Sequence, residues 1–412
     1  MNTVPSRVFR SLQIPNYRIW AAGALVSNVG TWMQRTAQDW LVLTELTQRN
    51  ASAVGLVMAL QFGPQLLLLP FTGFAADYFN QRKLLMATQA TLGALSLALG
   101  VLTVTGVVQL WHVDVFAFLF GCATAFDAPV RQTFVSELVG EQDLSNAIAL
   151  NSTSFNAGRM VGPAVAGLTI ASIGSGWAFV LNGVSFIAVL CSLGWLDVGA
   201  LHTKERARAA RGSLIEGFRY VWRRPDLVTM LVMLFLIGTF GLNFPIFIST
   251  MAVKIFHADA GRYGLLSSVM AIGTITGALM NAGRDRPRFA LLVWGSAIFG
   301  VGCTLAALAP GYWWFAATLV IIGIAALTFM NGTNSLVQLS TEPAMRGRVM
   351  AIRLAVALGG TPLGAPIVGF IADRYGPRWA LGVGASAGFA AVLVALYAAS
   401  RRTAKLGDVT PV

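Results

Sequence analysis

Residues 226–252 read DLVTMLVMLFLIGTFGLNFPIFISTMA, and this stretch decides the class of fold. After Asp226 it contains no charged residue and few polar ones. The apolar core of a bilayer is about 30 Å thick, which an α-helix crosses with roughly 20 residues. Because lipid offers the backbone no hydrogen-bond partner, such a segment must satisfy its own peptide groups as a helix. The stretch therefore predicts a transmembrane helix.

The rest of the chain repeats this pattern. Hydrophobic residues make up 56% of the 412 residues and charged residues only 11%. A soluble domain carries about 25% charged residues. We predict an all-α membrane protein with twelve transmembrane helices. The predicted segments are 17–45, 52–77, 83–105, 112–136, 145–172, 177–197, 226–252, 262–283, 289–309, 312–339, 346–373 and 378–399.

The 29 Lys and Arg residues are distributed unevenly between the connections. With the N-terminus placed in the cytoplasm, 22 of them lie at the termini or in loops on that side, and five lie in the opposite loops. Cytoplasmic loops are enriched in Lys and Arg, so this asymmetry predicts that both termini are cytoplasmic. It also accounts for the net charge of +12 without a nucleic-acid partner. With no cleavable signal peptide recognised, we expect a multi-pass protein of the bacterial inner membrane.

A polar stretch at 199–225 divides the predicted segments six and six. It contains a basic run and then an amphipathic piece, which predicts a cytoplasmic linker with a surface helix. A weak repeat supports the division, since the residues around Gly167 recur around Gly369. Repeated halves with a site between them are typical of secondary transporters. We therefore predict six-helix bundles at 1–198 and 226–412.

The first segment carries polar residues on one face. A charge at mid-membrane costs about 2.5–3.5 kcal/mol, so it must find a partner or face a cavity. Arg35 and Asp39 lie four residues apart and can pair directly. Either this pair anchors the helix at the interface, or the face lines a cavity with Asp39 as the first candidate for a proton carrier. Asn28 and Gln38 belong to the same face.

Charged residues recur in the fourth and fifth segments. Asp127 and Arg131 are again four residues apart, which favours a structural clamp; Asp127 is the second candidate for the proton carrier. If Arg131 points inward instead, it attracts an anionic substrate. Arg159 lies inside the fifth segment, where a buried partner for an aspartate and a substrate contact are both open interpretations.

Uncharged polar residues mark the seventh and tenth segments. They either line a substrate cavity or bond to neighbouring helices. These residues are Asn243 in the seventh segment and Asn331, Asn334 and Gln338 in the tenth. Trp32 and Trp40 of the first segment either stack on a planar substrate or pack against neighbours. At the end of the eleventh segment, Asp373 either caps its own helix or forms a gate salt bridge.

Two motifs carry a family resemblance. Residues 73–83, GFAADYFNQRK, resemble the loop signature of the major facilitator superfamily. Their motif residues are Gly73, Asp77, Arg82 and Lys83. Residues 158–167, GRMVGPAVAG, are similar to the glycine–proline motif of antiporters. Their motif residues are Gly158, Gly162, Pro163 and Gly167, and glycines four residues apart allow two helices to pack backbone to backbone.

A third motif is the most specific. Residues 125–134, AFDAPVRQTF, together with 346–351, RGRVMA, resemble one branch of the major facilitator superfamily. That branch contains the enterobactin exporter and related macrolide and multidrug efflux proteins. The resemblance implies proton-coupled export of a small molecule, in a fold of two six-helix bundles. Nutrient uptake by the same fold is the alternative, and a membrane scaffold or sensor is a third class.

No enzyme motif is recognised in the sequence. His112, His202 and His257 are far apart, and neither a phosphate-binding loop nor a dinucleotide fingerprint is present. We expect no cofactor and no metal. The expected partners are a small-molecule substrate, protons and the lipid bilayer, and we expect a monomer. The three cysteines lie in apolar segments and are expected to be core residues.

Overall fold

The computed structural model describes residues 7–68, 71–72, 75, 78–202, 214–282, 288–343 and 345–407. Within these ranges the regular structure is helical. The α-helices are α1 (Pro15–Trp40), α2 (Ala51–Leu67), α3 (Gln81–Val104), α4 (Leu110–Leu138), α5 (Glu141–Ile173), α6 (Ser175–Gly194), α7 (Leu214–Trp222), α8 (Pro225–Leu236), α9 (Phe244–Thr250), α10 (Ala260–Ala282), α11 (Phe289–Ala307), α12 (Tyr312–Ser340), α13 (Arg346–Arg374) and α14 (Pro377–Gly407).

Nine spans in the described part of the chain are long and apolar enough to cross a membrane. They are α3, α4, α6, the continuous span Pro225–Ile255 that contains α8 and α9, and α10 to α14. Helix α2 is apolar but has only 17 residues. Helices α1 and α5 are long enough, but their charged and amide side chains make them less apolar. The spans confirm an all-helical, multi-pass membrane protein, and the count of twelve stays a prediction.

The described residues form two compact units. Unit 1 is built from those within 1–48, 63–209 and 258–268, and unit 2 from those within 49–62, 210–257 and 269–412. The start of α10 therefore belongs to unit 1, and most of α2 belongs to unit 2. The predicted bundles at 1–198 and 226–412 assign all of α2 to the first bundle and all of α10 to the second. They therefore differ from the two compact units at these two helices. That division by helix order stays a prediction.

Unit 1 contains an apolar cluster between α1, α4 and α6. Tyr17 and Trp20 of α1 are fully buried there, against Phe134 of α4 and Leu193 of α6. The Tyr17 hydroxyl donates a 2.8 Å hydrogen bond to the carbonyl oxygen of Ala147. A buried phenol needs such a partner, and this one ties the start of α1 to α5.

A buried polar network joins three helices of unit 1. Gln34 of α1 accepts hydrogen bonds through Oε1 from Ser96 of α3 (2.8 Å) and Asn182 of α6 (2.6 Å). Asn182 in turn accepts one from Ser185 at 3.0 Å. Helices in lipid gain nothing from burying apolar surface against each other, so small residues and amide bonds hold them together. These polar residues are structural.

Unit 2 contains an interrupted helix. After α8 the backbone forms a π-helical turn at Ile237–Gly241. Helix α9 then begins at Phe244, with Pro245 in its first turn. Gly364 of α13 packs directly against the carbonyl oxygen of Thr239 in this turn. A side chain at position 364 would overlap that oxygen. Glycine is therefore what allows α13 to approach the interruption.

A short helix, α7, lies within the stretch that the sequence pattern assigns to a surface helix. Ile215, Phe218 and Trp222 are exposed on it, as expected for a helix lying at lipid headgroups. Glu216 pairs with Arg348 of α13 at 2.9 Å. After the helix, hydrogen bonds to the Asp226 carboxylate hold the pKa of Arg224 above its ordinary value.

The expectation for the cysteines is wrong in part. Cys303 is buried, but Cys122 is only partly buried and Cys191 is exposed on α6. The solvent around a span is lipid, so a weakly polar side chain need not lie in the core.

Candidate functional site

Two of the loop-signature residues can be placed. Gly73 and Asp77 lie outside the described residues. Arg82, at the start of α3, donates from Nε to the carbonyl oxygen of Leu193 at 2.8 Å, so it caps the end of α6. The backbone N–H of Lys83 donates to the Asn80 side chain at 3.0 Å, which caps the start of α3.

Asp127 is the centre of a buried ion pair. Its Oδ2 accepts hydrogen bonds from Arg131 Nη2 (2.9 Å) and Nε (3.1 Å). Its Oδ1 accepts from Thr88 Oγ1 (2.8 Å) and Gln89 Nε2 (2.5 Å). Both oxygens are therefore occupied, and α4 is bonded to α3. Sequence reasoning missed Thr88 and Gln89, although both are polar residues inside an apolar segment.

Asn28 extends this cluster to two more helices. Its Oδ1 lies 3.4 Å from Arg131 Nη1, and its Nδ2 donates to Ser154 Oγ of α5 at 3.0 Å. Asn28 is buried. The amide thus links α1, α4 and α5.

Asp39 has a different environment near the end of α1. It is buried, and the Tyr263 hydroxyl of α10 lies 3.5 Å from its Oδ2, a long hydrogen bond. The Tyr263 ring stacks on Trp40 with 5.8 Å between centroids. Arg35, one helical turn earlier, interacts with the carboxylate electrostatically. Gln38 is also buried beside Asp39 in the chain. Tyr263 is 224 residues from Asp39 in the chain, and no sequence pattern predicted this contact.

The guanidinium groups of two arginines lie close to one tryptophan ring on α1. The guanidinium carbon of Arg35 lies 5.0 Å from the Trp32 ring centroid, and that of Arg159 on α5 lies 5.4 Å from it. Phe155 meets the same ring edge-on at 5.6 Å. The Trp32 indole N–H is buried without a hydrogen-bond acceptor among the described residues. In the described part of the chain no carboxylate forms an ion pair with Arg159.

The glycine–proline motif brings α5 against two helices. A Cβ atom at Gly158 would lie 2.8 Å from the backbone of Asn28, and one at Gly162 would lie 2.6 Å from Trp32 Cβ. At Gly167 it would lie 2.7 Å from the Ala260 carbonyl oxygen at the start of α10. Pro163 contacts α10 as well, through its carbonyl oxygen and Gly264. The motif therefore packs α5 closely, backbone to backbone.

The polar residues of unit 2 are less connected. Asn243 is fully buried and donates to the Thr239 carbonyl oxygen at 2.7 Å, while its Oδ1 has no partner among the described residues. On α12, Asn331 and Asn334 are partly buried and Gln338 is exposed. Sequence reasoning missed Arg353 of α13, which is buried and donates to the Met330 carbonyl oxygen at 3.0 Å.

Asp373 has a role that neither sequence-based alternative describes fully. Its two oxygens accept hydrogen bonds from the backbone N–H groups of Ala51 and Ser52, both at 2.8 Å, and from the Ser52 hydroxyl at 2.7 Å. It therefore caps α2 and not its own helix. Lys254 completes the site with an ion pair at 2.8 Å. All of these residues belong to unit 2.

Comparison with known proteins identifies a family and related transporters. The chain matches the model of the transmembrane secretion effector family over residues 7–411. It is 28% identical to the multidrug efflux pump Tap of Mycolicibacterium fortuitum, over 86% of this chain and 88% of that protein. It is 25% identical to the staphyloferrin A transporter of Staphylococcus aureus, over 84% and 87% of the two chains.

A solved structure agrees on the fold. The inward-facing bacterial homologue of the human lysosomal transporter Spinster matches with a TM-score of 0.69, at 16% identity, over 94% of this chain and 96% of that one. In the described residues no group of three or more His, Cys, Asp or Glu side chains could hold a metal ion. Family and relatives are transporters and not enzymes. The chain belongs to the transmembrane secretion effector family of the major facilitator superfamily.

Proposed function

We propose that this transporter exports a small molecule, either a siderophore or an amphipathic drug, by proton antiport with alternating access. The two relatives, a multidrug efflux pump and a siderophore transporter, support this class of substrate. The proposal includes twelve spans in two six-helix bundles, both termini in the cytoplasm and a monomer in the inner membrane. The single observation that carries the mechanism is the environment of Asp39.

Asp39 is the proton carrier in this proposal. It is a buried carboxylate whose surroundings offer one long hydrogen bond from Tyr263 and the charge of Arg35. The carboxylate can therefore exist in two states, ionised beside Arg35 or protonated and neutral. Proton uptake releases Arg35 from its counter-charge, and proton loss restores the interaction. A group that exchanges a proton in this way changes the charge of the site during each transport cycle.

Asp127 is less suitable for this role. Four hydrogen bonds from three side chains occupy both of its oxygens, and Arg131 neutralises it. Protonation would have to break part of that set and would leave the Arg131 guanidinium uncompensated. We therefore assign Asp127 to the clamp and keep Asp39 as the carrier.

The driving force is sufficient for export. One proton entering through 100 mV supplies about 2.3 kcal/mol, which sustains a concentration ratio of roughly 50 for one molecule exported per proton. A transporter that lost its proton carrier would equilibrate its substrate and would not accumulate it.

The test uses purified protein in proteoliposomes with an imposed pH gradient. Ethidium and staphyloferrin A serve as an amphipathic drug and a siderophore. We expect Asp39→Asn to abolish gradient-driven accumulation and to retain exchange of labelled for unlabelled substrate without a gradient. Asp39→Glu should retain part of the accumulation, and Asp197→Asn, which removes an exposed carboxylate, should leave it unchanged. Normal gradient-driven accumulation by Asp39→Asn would remove Asp39 from the mechanism.

The direction of transport is tested separately. In inverted membrane vesicles the cytoplasmic side faces outward, so an exporter accumulates substrate inside them. Right-side-out vesicles should show the reverse, namely extrusion. Accumulation in right-side-out vesicles alone would favour the alternative function, uptake of a nutrient.

A further inference from the structure

The pair of arginines around Trp32 points to an organic-anion site. We propose that Trp32, Arg35 and Arg159 bind the carboxylate group of the transported molecule, so that the substrate is an amphipathic organic acid. The inference rests on the proposed function, because it takes unit 1 to handle the substrate. It adds the chemical class of substrate and the group that recognises it.

The positive charge of Arg159 has no carboxylate partner among the described residues, whereas Arg35 interacts with Asp39. The guanidinium carbons lie 5.0 and 5.4 Å from one ring centroid, so they are at most about 10 Å apart and repel each other. Asp39 is four residues from Arg35, whereas Asp127 is bonded to Arg131 and Asp143 to Arg10. No described carboxylate pairs with Arg159. An anion that binds beside Arg159 and the Trp32 indole N–H supplies the missing charge, and the nearby Arg35 adds a second cation to the same site.

The donors present suit a carboxylate. A guanidinium group offers a planar fork of N–H donors that matches the two oxygens of a carboxylate. The Trp32 indole N–H is a buried donor without an acceptor in the described chain, which is unfavourable until one is supplied. Three side chains that only donate hydrogen bonds thus meet around one ring. Such a set favours an acceptor that carries negative charge.

The backbone holds these donors in place. Gly158 and Gly162 let α5 contact α1 at Asn28 and Trp32, and Arg159 leaves α5 next to that contact. Its guanidinium therefore reaches the Trp32 ring from a rigid position. Phe155, one turn earlier on α5, meets the same ring and is 48% exposed. It provides apolar surface next to the donors, which suits the apolar part of an amphipathic acid.

The test compares two probes of nearly the same shape, one with a charged carboxylate and one with a neutral amide. Binding of 1-naphthoate and of its neutral analogue 1-naphthamide to the purified full-length protein is measured by equilibrium dialysis, with empty micelles subtracted. Hydrogen bonds to a charged group are worth about tenfold or more in affinity, so the wild type should prefer naphthoate by about that factor. Equal affinity of the wild type for both probes overturns the site without any variant.

Variants then assign the preference to named donors. Arg159→Gln should reduce the preference to nearly one, and Arg159→Lys should keep most of it. Trp32→Phe retains an aromatic ring but loses the N–H, so it should weaken the binding of naphthoate more than that of naphthamide, because a hydrogen bond to a charged acceptor is the stronger one. Arg18→Gln removes a cation from the exposed face of the same helix α1 and should change neither affinity. An unchanged preference in Arg159→Gln refutes the site.

The outcome can be separated from that of the proposed function. A protein that exports ethidium along a pH gradient but shows no preference for naphthoate refutes the anion site and leaves export intact. A protein that shows the preference and its loss in Arg159→Gln, but accumulates neither ethidium nor staphyloferrin A, supports the site and contradicts proton-driven export.

Discussion

Replacing Asp127 by asparagine separates a structural clamp from a proton carrier. The exchange keeps the size of the side chain and removes its charge. The new Oδ1 can still accept from Thr88 and Gln89, which bond to one oxygen of Asp127 at 2.8 and 2.5 Å. The new Nδ2 then faces Nε and Nη2 of Arg131, so two sets of donors oppose each other. The hydrogen bonds that are lost are therefore those between Arg131 and Oδ2 of Asp127.

The size of the effect follows from burial. Removing one partner of a buried ion pair costs about 3–5 kcal/mol, because the other charge is left uncompensated. The Arg131 side chain is 20% exposed and keeps a 3.4 Å contact with Asn28, so the cost is reduced. We expect Asp127→Asn to lower the free energy of unfolding by about 2–4 kcal/mol. Arg131→Gln should cost less, since Oδ1 of Asp127 keeps its hydrogen bonds from Thr88 and Gln89.

The double variant gives the decisive comparison. Asp127→Asn with Arg131→Gln removes both charges of the clamp, so it should be more stable than Asp127→Asn alone, with a coupling energy of about 1–3 kcal/mol. The free energies are measured by titration with sodium dodecyl sulfate in mixed micelles, with tryptophan fluorescence as the signal. Gradient-driven accumulation per folded molecule should persist in the double variant. Additive losses in the double variant, or the absence of accumulation in it, would refute the clamp.

Two further predictions concern unit 2. Asp373→Ala removes the cap of α2 and should cost about 1–2 kcal/mol of unfolding free energy in the same titration. Lys254→Met removes only a partly exposed ion pair and should cost less than about 1 kcal/mol; an equal loss in both variants would contradict the capping role. Gly364→Ala places a Cβ on the Thr239 carbonyl oxygen and should sharply reduce the yield of monodisperse protein in size-exclusion chromatography. Its control is Gly382→Ala, where nothing beyond the adjacent residues and nearby backbone of its own helix lies within 4 Å of the new Cβ, and normal behaviour of both variants would contradict the predicted overlap.

Contacts within one helix were predictable. Positions four residues apart lie on one face of any α-helix, so the pairing of Asp127 with Arg131 follows from spacing alone. The same holds for the electrostatic interaction of Arg35 with Asp39. The close packing of α5 at Gly158 was also predictable, because a small residue in an apolar helix marks a helix contact.

Contacts between helices were not predictable in the same way. The partners of Asp127 on α3, the Tyr263 hydroxyl beside Asp39 and the capping of α2 by Asp373 each join residues 38 to 322 positions apart. Polar residues inside the third segment were a usable signal for Thr88 and Gln89. Their pairing was not, because any polar helix face can satisfy any other.

The sequence by itself determined the solvent and the class of fold. Long apolar segments require lipid, lipid requires helices, and each charge inside a segment requires a partner or water. The tertiary structure decided which partner each charge found. Helix geometry is local and is set by the backbone, whereas the choice of neighbours depends on how whole surfaces pack. For that reason Asp127 became a saturated clamp, while Arg159 came to lie against Trp32 without a carboxylate in the described chain.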